Sequence, residues 1–539
     1  MFDYIELFPH DKIRNSQVEA IDFILNAFIN DEKKIVILES GTGTGKSAIG
    51  LTVSKYLNNH LQRIDTYLPG SYFVTTQKIL QDQYEKDFGS HPEGMKSIKS
   101  SSNYSCSYHK KNTCQESQRL LRNEDKDSRF FKACTYNCTY KNKKQKFLES
   151  QSSVTNFPYF LTEAAFSRKI TPRHVLVIDE CHNIESELSK FVEITVSERF
   201  AKHALKIRWP ERMTQFQVVK WMRSVYFPKI KSQLDHMERT LKKTGLDSRI
   251  KEFASLSKQY DMLKSHVGKI EKFLKVYDKD NWVMDSISSY GRSMRKFVFK
   301  AIDVSSFANE YLFRLGDRVL MMSATILDHK TFCKSLGLNE SDVSFISIPS
   351  PFPVENRPVI SYPIGSMSAK NIDMSLPKMT QAVREILKEH KNSKGVIHCH
   401  TFKIAKYLKS HIRSKRLLIH TSENRDEILR QHMRSKEPTV LLSPSMSEGV
   451  DLHGDLSRFQ IIMKIPYPYL GDPLIKKRMN KWNGWYPLQT AKKIVQAAGR
   501  SVRSLDDSAV TYILDADWER FFRQNRDMFP EEFKKSIVR

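Results

Sequence analysis

Unbroken apolar runs of strand length recur along an otherwise polar chain: IVIL (35–38), HVLVIDE (174–180), LMMSAT (320–325), GVIHCH (395–400), TVLLSP (439–444), FQIIMKIP (459–466) and VTYILD (510–515). A run without polar alternation predicts a strand covered on both faces, as in a parallel sheet flanked by helices. Segments of helical pattern stand between the runs, so the chain is predicted to be α/β. From about 197 to 280 the pattern changes. Glycine becomes scarce, and Ile250, Phe253, Leu256, Tyr260, Leu263, Val267, Ile270 and Leu274 recur every three or four residues. That spacing predicts a long amphipathic helix, with Leu234, Met237 and Leu241 on an antiparallel helix before it.

At 539 residues the chain exceeds one comfortable core. Two lobes are predicted. The first comprises 1–95, 151–196 and 281–340, interrupted by inserts at 96–150 and 197–280; the second is 341–539. No stretch approaches the ~18 apolar residues of a membrane span. The N-terminus MFDYIELFPH lacks the pattern of a secretory signal, so a cytoplasmic location is expected, or a nuclear one if the source has a nucleus.

Charge changes the picture. Lys and Arg total 87 against 61 acids, a formal net charge of +26, which favours polyanions through counterion release. Four of the seven cysteines (Cys106, Cys114, Cys134, Cys138) fall in one insert. In a reducing compartment they suggest thiolate ligands for zinc or an iron–sulfur cluster rather than disulfides. Cys333 and Cys399 read as core, and His109 as a surface histidine.

The first apolar run leads into SGTGTGKS and then a helical pattern. Strand, glycine-rich loop and helix form the context of a P-loop. Gly41, Thr42, Gly43, Thr44 and Gly45 would wrap phosphates with backbone N–H groups, Lys46 would reach the β- and γ-phosphates, and the Ser47 hydroxyl would ligand Mg²⁺. Ser40 departs from the strict pattern, which has glycine there. Asp179 and Glu180, at the tip of the second run, suit a magnesium carboxylate and a base for the attacking water. His182 would couple nucleotide state to the rest of the chain. Arg500 and Arg503, after Gln496, are spaced for one helix face and could stabilise phosphoryl-transfer charge from the second lobe.

Six motifs in order then resemble the XPD/DinG family of superfamily 2 helicases. They are RNSQ (14–17), the P-loop, TTQKILQDQ (75–83), DECHN (179–183), SMSEGVDLHG (445–454) and QAAGRSVRS (496–504). The resemblance implies two RecA-like lobes, with Gln17 reading adenine and Asp451 serving the nucleotide site. It also implies a [4Fe–4S] cluster on Cys106, Cys114, Cys134 and Cys138, with zinc as the alternative, and a helical Arch over 197–280. The implied activity is ATP- and Mg²⁺-dependent unwinding of DNA by a monomeric motor moving 5′ to 3′ on a single strand, with duplex junctions as partners. Three alternatives stay open: a translocase that remodels protein–DNA or R-loop structures, an RNA helicase, and a binding scaffold without hydrolysis.

Overall fold

The structure, a computed structural model, describes the chain apart from residues 1, 42, 62–64, 92, 168, 244–249, 289–294, 422, 445–451, 453, 500, 503 and 539, and apart from the side chains of 123, 250 and 251. Its strands in chain order are β1 (Ile35–Ser40), β2 (Leu68–Thr75), β3 (Lys96–Ser97), β4 (Ser152–Asn156), β5 (Arg173–Asp179), β6 (Ile194–Ser197), β7 (Trp282–Ile287), β8 (Lys296–Ala301), β9 (Gly316–Ser323) and β10 (Val343–Ile348). There follow β11 (Val359–Gly365), β12 (Gly395–His398), β13 (Leu417–Ile419), β14 (Val440–Ser443), β15 (Phe459–Ile462), β16 (Val510–Asp515) and β17 (Ile537–Val538).

Two seven-stranded sheets result, ordered β10-β1-β9-β5-β2-β4-β3 and β13-β14-β12-β15-β16-β11-β17, and every neighbouring pair in both is parallel. The unbroken apolar runs have a direct cause. Within β1, Ile35 and Ile37 enter the core on one face of the sheet, while Val36 and Leu38 enter the core on the other. Helices cover both faces, so no position in the strand meets water. Register brings the carboxyl ends of β1, β9 and β5 side by side, with Glu39 opposite Ser323 and Asp179 opposite Met322. Loops leaving those ends converge on one rim, the ligand-binding edge of open parallel sheets.

The segment 343–348 was expected in the second lobe, but it pairs with β1 at the edge of the first sheet. An isolated strand pattern carries no mark of its sheet, and the chain crosses between lobes only after Ile348. A small antiparallel sheet, β6-β8-β7, forms the base of the helical insert, where plain first-lobe structure was expected from 281. The expected helix hairpin is present, as Phe227–Lys243 and Ile250–Val276. In the cysteine insert three short helices, Cys114–Leu120, Arg129–Tyr136 and Thr139–Glu149, carry or border Cys114, Cys134 and Cys138, and Cys106 lies in the loop before them.

Candidate nucleotide site and cysteine insert

The turn after β1 is built around two left-handed glycines, Gly43 and Gly45 (φ 78° and 82°). The left-handed backbone at Gly45 favours glycine, and a Cβ there would also displace the Gln17 amide, whose Nε2 would lie 2.3 Å away. Ser40 replaces the pattern's first glycine without opening the loop. Its hydroxyl donates to Thr44 Oγ1 at 2.8 Å, and Thr44 Oγ1 donates to the Gly41 carbonyl at 2.7 Å. Lys46 Nζ donates to the carbonyls of Ser40 and Gly41 at 3.0 and 3.2 Å, which holds the ammonium across the loop. The helix Lys46–His60 begins there, with Ser47 in its first turn. Thr42 lies outside the described residues.

Gln17 is spent on the loop itself. Its Nε2 donates to the Thr44 carbonyl at 2.9 Å, its Oε1 accepts from the Arg14 N–H at 2.9 Å, and Arg14 reaches the Gly43 carbonyl at 3.0 Å. One amide hydrogen and one lone pair remain for a base.

Asp179 ends β5, buried, and accepts from the Glu180 N–H at 2.9 Å and from the Tyr84 hydroxyl at 3.1 Å. Burial, with Glu180 beside it, pushes its carboxyl up to about 6. Glu180 takes a left-handed backbone (φ 53°), uncommon outside glycine, which turns its carboxylate away from the strand. Glu180 Oε2 lies 3.3 Å from His182 Nδ1, which also faces Ser323 Oγ at 2.8 Å. Across the lobe boundary, Gln496 Nε2 donates to Thr325 Oγ1 at 2.9 Å and stands 3.0 Å from His182 Nε2.

The structure therefore brings Gln17, Lys46, Ser47, Asp179, Glu180, His182 and Gln496 around one rim between the lobes. Arg500, Arg503 and Asp451 lie outside the described residues. The expected helix face shared by the two arginines therefore lies outside the described residues as well. The helix Trp485–Ala498 ends at Gly499, whose N–H bonds the Val495 carbonyl, and Ser501 and Val502 are not helical. Glycine, among the residues least favourable to a helix, stops it there.

Several residues at this rim gave no signal in the sequence. Tyr84 reads as core on an amphipathic helix. Buried Glu39 accepts from the Ile326 and Leu327 N–H groups, both at 2.7 Å, and so clamps the turn after β9. Glu185 is shared by two groups of the second lobe, ion-paired to Arg478 and accepting from Trp485 Nε1 at 3.0 Å. Arg478 also donates to the Ile302 carbonyl at 2.9 Å and to Ser189 Oγ at 2.7 Å.

In the cysteine insert Cys114, Cys134 and Cys138 are buried and Cys106 is half-buried. Cys114 Sγ lies 3.9 Å from Cys138 Sγ. Burial and the neighbouring Cys138 push the Cys114 thiol up to about 12, with Cys134 and Cys106 adding to the effect. Burial raises Cys134 as well. Cys114 and Cys138 thus lie sulfur to sulfur, with Cys134 and Cys106 near enough to raise the Cys114 thiol. Among the described residues no set of three or more Cys, His, Asp or Glu stands ready-made at ligand distance of one point. His109 is not a plain surface residue: its ring packs edge-on against Phe130, centroids 4.5 Å apart. Cys181, Cys333 and Cys399 are buried.

Residues 377–536 match the helicase C-terminal domain, and residues 10–208 match the type III restriction enzyme res subunit. No curated protein matches the chain in sequence. A solved XPD helicase structure superposes with a TM-score of 0.63 at 16% identity, covering 96% of this chain and 99% of that one. An apo XPD structure gives 0.58 at 16% identity over 94% and 98%. Xpd4 of S. tokodaii gives 0.55 at 14% identity over 97% and 99%. Among the described residues no helix is long and apolar enough to cross a membrane.

Proposed function

We propose that this chain, an XPD-like superfamily 2 helicase in its domains and fold, is an ATP-dependent DNA helicase that moves along one strand and unwinds duplex or branched DNA. The observation that carries the reading is the reach of Gln496 from the second lobe to His182 and Thr325 beside Asp179 and Glu180. A hydrolytic rim shared by two lobes converts hydrolysis into motion of one lobe against the other.

In this reading the Gly41–Gly45 turn and Lys46 bind the phosphates, Ser47 and Asp179 hold Mg²⁺, and Glu180 takes the proton of the attacking water. Arg500 and Arg503 stabilise charge on the transferring phosphoryl group, and Gln17 and Asp451 serve the nucleotide. The formal charge of +26 supports a polyanionic track. Backbone-tracking grooves discriminate little among sequences, so weak sequence preference is expected. Movement is 5′ to 3′ by family resemblance. Cys106, Cys114, Cys134 and Cys138 would hold a [4Fe–4S] cluster, which would supply a rigid four-thiolate crosslink to a small domain that parts the strands.

The test is ATPase and unwinding by the wild type and by Lys46→Ala, with and without single-stranded DNA and with single-stranded RNA. Hydrolysis stimulated by DNA and abolished by the substitution supports the reading. Stimulation by RNA alone makes the chain an RNA helicase, hydrolysis without unwinding makes it a translocase, and no hydrolysis makes it a scaffold.

A further inference from the structure

One helix, Lys78–Phe88, joins the cysteine insert to the metal-binding corner of the nucleotide rim. At its first residue Lys78 Nζ donates to Asn103 Oδ1 at 2.8 Å, three residues before Cys106. Further along, Asp82 is ion-paired with Lys99, whose backbone N–H donates to the Tyr104 hydroxyl at 3.0 Å, and Glu85 lies 3.8 Å from Lys143. Buried Gln81 fixes the middle: its amide donates to Ser97 Oγ and the Ile98 carbonyl at 2.9 and 2.8 Å, and its oxygen accepts from Asn156 at 2.9 Å.

Six residues after Lys78, about 9 Å along the axis, the Tyr84 hydroxyl donates to Asp179 Oδ2 at 3.1 Å, with the Ser47 hydroxyl also facing it. Tyr84 is 3% exposed, and its ring packs on Phe73 and Phe88 with centroids 5.6 and 5.9 Å away. A phenol in that packing has no freedom to swing independently of its helix. A shift of the cysteine insert therefore reaches the two proposed magnesium ligands through one rigid element and one hydroxyl.

We propose that Tyr84 is a positioning residue for Asp179, and that the Lys78–Phe88 helix is the lever through which the cysteine insert and the nucleotide site sense each other. The inference rests on the nucleotide site proposed above, and linkage makes the coupling reciprocal: nucleotide must alter the insert as the insert alters nucleotide binding.

Hydrogen exchange of the full chain, purified without air, tests it, with and without Mg²⁺ and a non-hydrolysable ATP analogue. In the wild type the analogue slows exchange both in the Lys46–His60 helix and in residues 101–145, the latter by about fivefold or more. Tyr84→Phe keeps the ring and loses the hydroxyl; Lys78→Ala cuts the lever's other end. At analogue concentrations that saturate each variant, Lys46–His60 still responds and 101–145 no longer does. If 101–145 responds equally in the variants, or does not respond in the wild type while Lys46–His60 does, the lever is wrong and the nucleotide site stands. If Lys46–His60 does not respond in the wild type, the nucleotide site and the lever fall together.

Discussion

Gln496 Nε2, on the last turn of the second lobe's Trp485–Ala498 helix, stands 3.0 Å from His182 Nε2 in the first lobe. The amide donates to that nitrogen and, through its other hydrogen, to Thr325 Oγ1 at 2.9 Å. On its other side, His182 Nδ1 faces Ser323 Oγ at 2.8 Å and Glu180 Oε2 at 3.3 Å. His182 thus ties the DECH segment to the end of β9 and to the second lobe. Gln496→Glu removes the donor at constant shape. Two neutral hydrogen bonds at about 1 kcal/mol each predict a fall of roughly tenfold or more in strand-stimulated kcat, with nucleotide Kd little changed. Full turnover in that variant would refute the donor role.

Glu180 is the base of the proposed mechanism, and its left-handed backbone follows the strand end, with its N–H bonded to Asp179. Glu180→Gln keeps that geometry and loses the proton acceptor. Loss of general base catalysis typically costs about 10²–10⁴-fold, so single-turnover hydrolysis should fall by that range while the nucleotide still binds. Equilibrium binding beside rapid quench separates the two effects; parallel losses in both would mean Glu180 merely shapes the site.

What the sequence shows of this site is what neighbours in sequence can build. The P-loop is legible because strand, turn and helix are consecutive, and Asp179 because a carboxylate interrupts an apolar run at the end of β5. Tyr84 and Asp179 are 95 residues apart, and Gln496 and His182 are 314 apart. No local pattern ties such partners, and a buried tyrosine on an amphipathic helix resembles any core residue. The sheet membership of β10 is hidden for the same reason: strand propensity is local, whereas edge position depends on where the preceding crossover lands. Even the departure at Ser40 is explained only by its hydrogen bond to Thr44.

Acid should loosen the helical insert first. Burial, with Lys269 adding to it, lowers His266 to about 4 from an ordinary 6.5, and its Nε2 lies 2.8 Å from the Tyr226 hydroxyl. The folded state keeps the ring neutral where the unfolded chain protonates it. Stability from this group is therefore present above pH 6.5 and is lost as pH falls from 6.5 towards 4, on the order of 2 kcal/mol. His266→Gln retains an acceptor for Tyr226 and removes the titration. Urea melts at pH 7 and pH 5, followed by fluorescence of Trp209 and Trp221, should show a smaller pH loss in the variant. An equal loss would place the acid-sensitive group elsewhere.

The two inserts are clipped together at one point. Asp261 on the Ile250–Val276 helix pairs with Arg119 at 3.1 Å and with Arg122, which also donates to Ser257 Oγ at 3.1 Å and lies over the Tyr260 ring at 4.9 Å. Partly exposed pairs contribute only about 1 kcal/mol and weaken with salt, so the clip is suited to opening. Asp261→Ala should leave strand-stimulated ATPase within about twofold while reducing unwinding, and the wild type at high salt should behave similarly. A variant that unwinds normally on forked DNA would show that closure of the inserts is irrelevant to strand separation.

The proposed metal centre gives the cysteine insert a testable signature. The insert's helices pack into the core of the first lobe, and burial has pushed the Cys114 thiol up to about 12. A bound metal centre would release the thiol protons and crosslink the helices. Protein purified without air should therefore carry iron and sulfide, near four irons per chain, with loss of iron and a lowered first melting transition in Cys134→Ser. Chelation of the wild type should reproduce the lower transition but leave the melting of the two parallel-sheet lobes in place. Stoichiometric zinc in place of iron would keep the thiolate site and overturn the cluster. Metal-free protein with the same melting profile as Cys134→Ser would show that the four cysteines serve only as core.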